Sequence, residues 1–461
     1  MRQSQPFDPA RLQPRLIDLA LAARLAPAEL RDPFSVLLEL RHGAAVQPLL
    51  ALVPQATPVG DPARGLFRAL LTKSEILALE AAAPALLYRI WLNHTVRALT
   101  GRSLASIKAD AAQTAFAATG RGILWAVADS GIAPHSHFDA HSNLALPPGI
   151  EHRDFTGGHS PLSDDFGHGT HVAGIIAGAA APNALWPDND PNARPRSVAP
   201  HASLLSLKVL GPDGAGEVSD ILAAIDYIQQ VNDHGRRLRI HGLNLSLGYE
   251  FDPEWFACGA SPLCQEVDRL ALSGVSVVAA AGNSGYGYQN SLHTGVTPTC
   301  LDLTINDPGN ADLAITVGST HRDRPHTYGV SYFSSKGPTG DGRRKPDLIA
   351  PGERIISCAA PSKAPPGPGN APPGPGNAPP GPGNAPPGSG WRTAYVEDSG
   401  TSMAAPHVSG AIAAFLSVRP EFCGRPQAVK DIFLASATDL RRDPDFQGRG
   451  LINLFQALQE R

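Results

Sequence analysis

The residues best suited to chemistry lie in Gly400-Thr401-Ser402-Met403-Ala404-Ala405-Pro406-His407. A small, turn-forming pair leads into Ser402, and an apolar run at helical spacing, Val408 to Val418, follows. The pattern predicts Ser402 at a helix N-terminus, where unpaired backbone N–H groups and the positive dipole end favour a developing oxyanion. A hydroxyl is a weak nucleophile until a base takes its proton. The chain should therefore also hold a histidine, a carboxylate that orients it, and a second oxyanion donor.

Gly167-His168-Gly169-Thr170-His171-Val172-Ala173-Gly174 opens a small-residue helix. Two histidines three apart invite a metal reading, but zinc helices space them four apart with a glutamate between, and no CxxC or HExxH pattern occurs. A histidine flanked by glycines at a helix start leaves room for substrate, as a general base requires. Asp129 closes the apolar strand Ile123-Leu124-Trp125-Ala126-Val127-Ala128 and would be a buried carboxylate holding the imidazole. Singly, each has a plainer alternative: Asp129 as a helix cap, His168 as a satisfied polar group, Ser402 as an N-cap. The three as a set are far more specific.

The elements that must position them alternate. Apolar, β-branched-rich strands are expected at Ser203 to Leu210, Ile240 to Leu247, Val275 to Ala281 and Leu313 to Gly318, with helices at Val218 to Val231 and Gln265 to Leu272. Such alternation argues for a parallel sheet with helices on both faces and chemistry outside the carboxyl ends of the strands. A helix is also expected from Leu104 to Ala118, after a polar hinge from Asn93 to Ser103. Upstream, residues 33–100 read as a small α+β unit, with Thr72 capping a helix from Lys73 and Glu75 in the capping-box position. Residues 1–32 form an amphipathic helical extension, and 101–461 the main domain.

Within that domain, 361–390 is a Pro/Gly-rich insertion carrying Ala-Pro-Pro-Gly-Pro-Gly-Asn from 364, 371 and 378. Such composition forms neither helix nor sheet interior, so a solvent-exposed excursion is expected, either a tolerated repeat or a PPII ligand. The net charge of −4 gives no basic footprint for nucleic acid. Greasy stretches such as Leu16 to Ala28 carry Asp18 and Arg24, so no membrane span is expected there. No secretory leader is visible at the start, which leans the five cysteines toward reduced thiols in a cytosol, although Cys258 and Cys264 stand close enough for a loop disulfide.

The order Asp129, His168, Ser402 is that of the subtilisin-type triad. Asp129-Ser130-Gly131, His168 to Gly174 and Gly400 to His407 resemble the three signature blocks of the subtilisin-like serine peptidases, from about residue 104 to the C-terminus. The resemblance implies an α/β, three-layer subtilisin-like fold with a mostly parallel central sheet, preceded by a small α+β domain. It also implies a serine endopeptidase that needs no cofactor for its chemistry and takes peptide or protein substrates. Ala279-Ala280-Ala281-Gly282-Asn283 resembles the family's oxyanion block, making Asn283 a donor. Ser246, Leu247, Gly248, Ala281 and Gly282 resemble walls of the P1 pocket, Gly214, Ala215 and Gly216 the edge strand that pairs with substrate, and Asp307-Pro308 a candidate cis peptide. Residues 33–95 resemble, more weakly, an inhibitory pro-domain, so the N-terminal domain would act as an intramolecular inhibitor with Asn93 to Ser103 in the cleft, cut by the enzyme itself; the alternative is a permanent accessory domain.

The chain departs from the family in two places. The repeat lengthens the loop before the nucleophile, and Ala179 to Pro200 does not reproduce the compact calcium loop. Structural calcium therefore lacks a recognisable loop, and Asp188-Asn189-Asp190 reads as a candidate ligand set or an exposed turn. Tyr286 and Tyr288 are expected to shape the P1 pocket or simply pack. Two rival functions stand beside the endopeptidase: a maturase dedicated to one precursor peptide, and a non-catalytic binding protein on the same fold.

Overall fold

The structure, a computed structural model, describes residues 16–17, 21–22, 25–58, 65–92, 101–180, 195–249, 257–291, 295–363 and 389–460. Most of the N-terminal helix, residues 93–100 of the hinge, Asp188-Asn189-Asp190 and the repeat from 364 to 388 lie outside the described residues. The chain divides into two units, Met1–Arg97 and Ala98–Arg461.

In the first unit an antiparallel sheet runs in the order Thr57–Pro58, Leu66–Thr72, Pro33–Leu40, Leu87–Leu92. Strand alternation sends Val36, Leu38 and Leu40 to the same buried side as Phe67, Ala69 and Leu71. Helix Lys73–Ala82 starts at a complete capping box: the Glu75 N–H donates to Thr72 Oγ1, and the Thr72 N–H to Glu75 Oε2. Ile17, Leu21 and Leu25 lie in this unit's apolar core. These three residues of the expected 1–32 extension thus share one core with the α+β unit, and Met1–Arg97 clusters as a single unit.

The second unit carries a seven-stranded sheet whose pairs are all parallel. Its order is Leu348–Glu353, Ile315–His321, Ser276–Ala280, Gly242–Leu245, Leu124–Asp129, Ser203–Lys208, Arg153–Asp154. Strand Leu124–Asp129 is buried throughout, and its side chains split between two cores. Trp125 and Val127 join the helices His168–Ile176 and Thr401–Val418 on one face; Leu124, Ala126 and Ala128 join Val218–Val231 and Pro262–Leu272 on the other. A three-layer α/β fold results. Leu124–Asp129, the first strand of this sheet in the chain, is paired on one side with Ser203–Lys208 and on the other with Gly242–Leu245, so later strands lie on both sides of it, the place where α/β sheets put ligands.

The expected helix over 104–118 is instead two, Gly101–Ser106 and Ala109–Phe116. Lys108 between them has φ 59°, a left-handed conformation that no α-helix continues through. Helix Thr401–Val418 is long and apolar enough to cross a membrane, but 83% of it is buried inside the fold, and packing between sheet and helices accounts for its composition. Asp307-Pro308 is cis, as are Gly337-Pro338 and Lys345-Pro346.

Candidate active site

Asp129 ends its strand with a side chain only 1% exposed, and His168 begins a helix whose first turn lies across it. His168 Nδ1 stands 2.8 Å from Asp129 Oδ1 and 3.0 Å from Oδ2, so the ring nitrogen donates to the carboxylate. Gly169 makes that approach feasible: a Cβ there would lie 2.2 Å from the Gly131 carbonyl oxygen and 3.1 Å from Asp129 Cβ. The glycine expected to leave room for substrate thus gives room for the carboxylate strand itself. Burial pushes the imidazole down, but the Asp129 charge and its hydrogen bond outweigh this, and His168 stands above its ordinary value. Burial holds His171 down at about 4, against the pull of Asp398, and its Nε2 donates to the Val396 carbonyl at 3.1 Å. His171 is a neutral structural group.

A second carboxylate, unnoticed in the sequence, fixes the start of the histidine helix. Asp164 accepts from the N–H groups of Gly167 at 2.6 Å and Thr170 at 2.8 Å and from the Ser130 hydroxyl at 2.8 Å. Ser130 Oγ in turn accepts from the Gly169 N–H at 2.9 Å. Orphan donors of the helix N-terminus are taken up by these two side chains, three residues before the N-cap and one after Asp129. Burial raises the Asp164 carboxyl despite these hydrogen bonds. A carboxylate just upstream of a helix start is a readable signal, but Asp164 and Asp165 are adjacent and only the fold separates them.

Ser402 is the second residue of helix Thr401–Val418, as its sequence context implied. It lines one cleft with His168 and Asn283. Its hydroxyl donates to the Ser246 carbonyl at 3.0 Å, and Ser246 Oγ donates to the Ser402 carbonyl at 2.8 Å. Asn283 Oδ1 accepts from the Thr401 N–H at 2.9 Å and the Thr401 hydroxyl at 3.1 Å. A backbone N–H can only donate, so the amide oxygen must face Thr401, leaving Nδ2 as the remaining donor end.

The cleft takes in Gly214, Ala215, Gly216, Ser246, Leu247, Gly248 and Gly282. Ala281 is fully buried and its neighbour Ala280 lines the wall instead, since alternate side chains leave a strand on opposite faces. Gly214 to Gly216 is not a strand here: the Gly214 N–H donates to the Gly211 carbonyl at 3.0 Å and the Ala215 carbonyl accepts from the Gly211 N–H at 2.7 Å, a local turn. Phe166 and Asn306 were not anticipated. Phe166 packs where a Gly214 Cβ would come within 2.5 Å of the ring, and Asn306 fills the space beside Gly282, where a Cβ would meet Asn306 Cγ at 2.6 Å. Phe166 lies two residues before His168; nothing in the sequence around Asn306 marks it. Tyr286 and Tyr288 neither line the cleft nor pack inside; both are exposed.

Among the described residues no group of three or more His, Cys, Asp or Glu side chains is arranged to hold a metal ion. Cys258 and Cys264 are not joined in a disulfide.

Residues 120–450 match the subtilase family, Peptidase_S8. The chain is 30% identical over 376 residues to serine protease AprX of Bacillus subtilis, covering 79% of this chain and 73% of AprX. It is 32% identical to subtilisin DY of Bacillus licheniformis, over 77% of this chain and 96% of that one. A solved cold-adapted subtilisin-like serine proteinase aligns at 25% identity and a TM-score of 0.47, covering 73% of this chain and 88% of its own. With the family match spanning most of the length, and a parallel-sheet fold in which His168, Asn283 and Ser402 line one cleft, the chain belongs to the subtilase family: it is a subtilisin-like serine protease, a hydrolase of peptide bonds.

Proposed function

We propose that the chain is an endopeptidase in which Ser402 is the nucleophile, His168 the general base and Asp129 the carboxylate that orients it. The observation that carries this is the Asp129–His168 hydrogen bond facing a serine at a helix N-terminus across one cleft. On binding, rotation of the Ser402 side chain turns its hydroxyl from the Ser246 carbonyl toward His168 Nε2; catalytic hydrogen bonds commonly tighten only in the substrate complex. The imidazole takes the proton as the hydroxyl attacks the scissile carbonyl, and Asp129 stabilises the imidazolium. The tetrahedral oxygen takes hydrogen bonds from Asn283 Nδ2 and the Ser402 N–H. His168 then protonates the leaving amine, and water hydrolyses the acyl-enzyme. Gly214 to Gly216 would pair with extended substrate through backbone, leaving selectivity to the pocket beside Ser246, Leu247, Gly248 and Gly282.

The first unit is read as an intramolecular inhibitor removed by self-cleavage between 93 and 103. Its support is an antiparallel sheet with helices that forms a unit of its own before the peptidase domain. Fluorophosphonate labelling tests the nucleophile: it should vanish in Ser402→Ala, and labelling that persists elsewhere removes Ser402 from the mechanism. N-terminal sequencing tests the processing. A wild-type chain that still begins at Met1 with full activity rules it out.

A further inference from the structure

Immediately after Asn283 the chain forms an antiparallel hairpin, Tyr286–Ser291 with Gly295–Cys300. Its register opposes Tyr286 to Cys300, Tyr288 to Pro298 and Asn290 to Val296. Opposed residues share a face, so one face carries Tyr286, Tyr288, Val296, Pro298 and Cys300, and the other carries Gly287, Thr297 and Thr299. A hairpin with one face on the protein ordinarily turns its apolar residues inward. This one does the reverse: Tyr288 is 75% and Val296 66% exposed, while Thr297 and Thr299 are half-buried. Tyr332, 65% exposed, extends the patch, its ring edge-on to Tyr286 at 5.7 Å between centroids.

We propose that this aromatic face is an exosite that grips the substrate polypeptide beyond the cleft, its occupant an unfolded chain presenting apolar side chains. The inference rests on the peptidase reading, which it extends. Continuity argues for substrate as the occupant: Asn283 and Ser284 line the cleft, and the hairpin begins two residues later. Its root is fixed at that place. The Gly285 N–H donates to the Phe333 carbonyl at 3.0 Å, and the Gly285 carbonyl accepts from the Leu301 N–H at 3.1 Å and from the Lys336 ammonium. A strand of this length spans about 20 Å, enough for several residues of a chain leaving the cleft. The named residues of the face are uncharged, so recognition would come from tyrosine rings, rigid amphipathic anchors that lose little entropy on binding. A folded protein hides its apolar side chains; an unfolded one offers them. Exposed apolar patches of this kind mark interaction sites.

The test uses the full chain carrying Ser402→Ala, with and without Tyr286→Ser/Tyr288→Ser/Tyr332→Ser, and separately with Tyr288→Glu. Fluorescence anisotropy of a labelled, reduced and carboxymethylated protein should show affinity falling about tenfold or more in the tyrosine variants. Equal affinity overturns the exosite. On the otherwise wild-type chain, kcat/KM for the same unfolded protein should fall about as far, while kcat/KM for a chromogenic tetrapeptide stays within about twofold. Equal losses on both substrates mean the tyrosines act on the cleft, which also overturns it. Light scattering that finds a dimer dissolved by Tyr288→Glu assigns the face to a second copy and overturns it too. Fluorophosphonate labelling judges the peptidase reading separately: labelling absent but tyrosine-dependent binding present sinks that reading and leaves the polypeptide-binding face standing.

Discussion

The carbonyl of Ser402 takes a hydrogen bond from the Ser246 hydroxyl at 2.8 Å, and Pro406 explains why it needs one. In an α-helix that carbonyl would accept from the N–H four residues on, but residue 406 is proline and has none. The supply continues inward: Asn244 Nδ2 donates to Ser246 Oγ at 2.9 Å, and the Ser409 hydroxyl donates to Asn244 Oδ1 at 2.8 Å. Ser246→Ala should therefore strip a donor from the Ser402 carbonyl and a partner from the buried Asn244 amide, costing about 1–3 kcal/mol of stability. Turnover should fall more than KM rises. Pro406→Ala in that background restores a helix N–H and should recover part of the loss, read by urea unfolding; no recovery refutes the link between the two residues.

Thr401 holds the amide oxygen of Asn283, the proposed oxyanion donor, with both its backbone N–H and its hydroxyl. Its hydroxyl donates to Asn283 Oδ1 at 3.1 Å and accepts from the Gly282 N–H at 3.1 Å. Asn283→Ala should lower kcat by about 10²–10³ with KM little changed. Thr401→Val keeps the shape and the backbone donor but loses the hydroxyl, so kcat should fall by only about three- to tenfold, as one modest hydrogen bond allows. Steady-state kinetics on one peptide separates the two. A Thr401→Val enzyme as slow as Asn283→Ala would mean that the hydroxyl itself meets the oxyanion.

Much of the site was legible because its residues obey local rules as well as chemical ones. Ser402 stood out as a small polar residue at the head of an apolar helix, and Asp129 as a carboxylate ending a wholly apolar strand. The Thr72 capping box was readable for the same reason: its partners lie within one turn. Asp164, Asn306 and the Ser246–Asn244–Ser409 chain were not. Asp164 caps a helix that starts just downstream, but nothing local tells it from Asp165. Asn306 beside Gly282, and the links from Ser246 to Ser402 and from Asn244 to Ser409, join elements brought close only by the fold, and a single sequence carries no mark of such pairing. Lys108 was missed because nothing in its type forbids a helix; the tertiary packing of Leu104, Ile107 and Ala109 overrides propensity there.

The acid limb of activity should report His168. A base must be neutral, and the Asp129 charge and hydrogen bond raise this imidazole over the opposing effect of burial. The rising limb of kcat/KM should therefore lie above the ordinary imidazole range of about 6.5. Asp129→Asn removes the two largest raising causes and leaves burial opposed by the weaker pull of Asp398, so the limb should move to lower pH even as kcat falls by about 10⁴. A pH–rate profile of the variant with its limb unmoved would show that another group titrates there.

Asp347 makes a stability prediction with a pH sign. Its Oδ2 lies 2.7 Å from Lys345 Nζ and its Oδ1 3.1 Å from Lys430 Nζ, all three side chains being less than 10% exposed. Burial pushes the Lys345 ammonium down to about 8 against the pull of Asp347, and the two lysines lower the Asp347 carboxyl over the opposing effect of burial. Asp347→Asn would leave two buried cations without an anion, a loss of about 3–5 kcal/mol at neutral pH. Between the folded value of Lys345, about 8, and its unfolded value, about 10.4, the unfolded chain binds more protons, so the Lys345 contribution to stability rises with pH in that window. The Asp347 contribution behaves oppositely at the acid end: present above the unfolded carboxylate value of about 3.9, it fades as pH falls through the depressed folded value. In Asp347→Asn the neutral lysine is favoured still more, so the deficit against wild type should be larger at about pH 7 than at about pH 9.5, where Lys345 is largely uncharged in both folded proteins. Urea midpoints at the two pH values decide it: a deficit that does not shrink would mean that Asp347 acts through the Thr316 N–H, 2.7 Å from its Oδ2, rather than through the lysines.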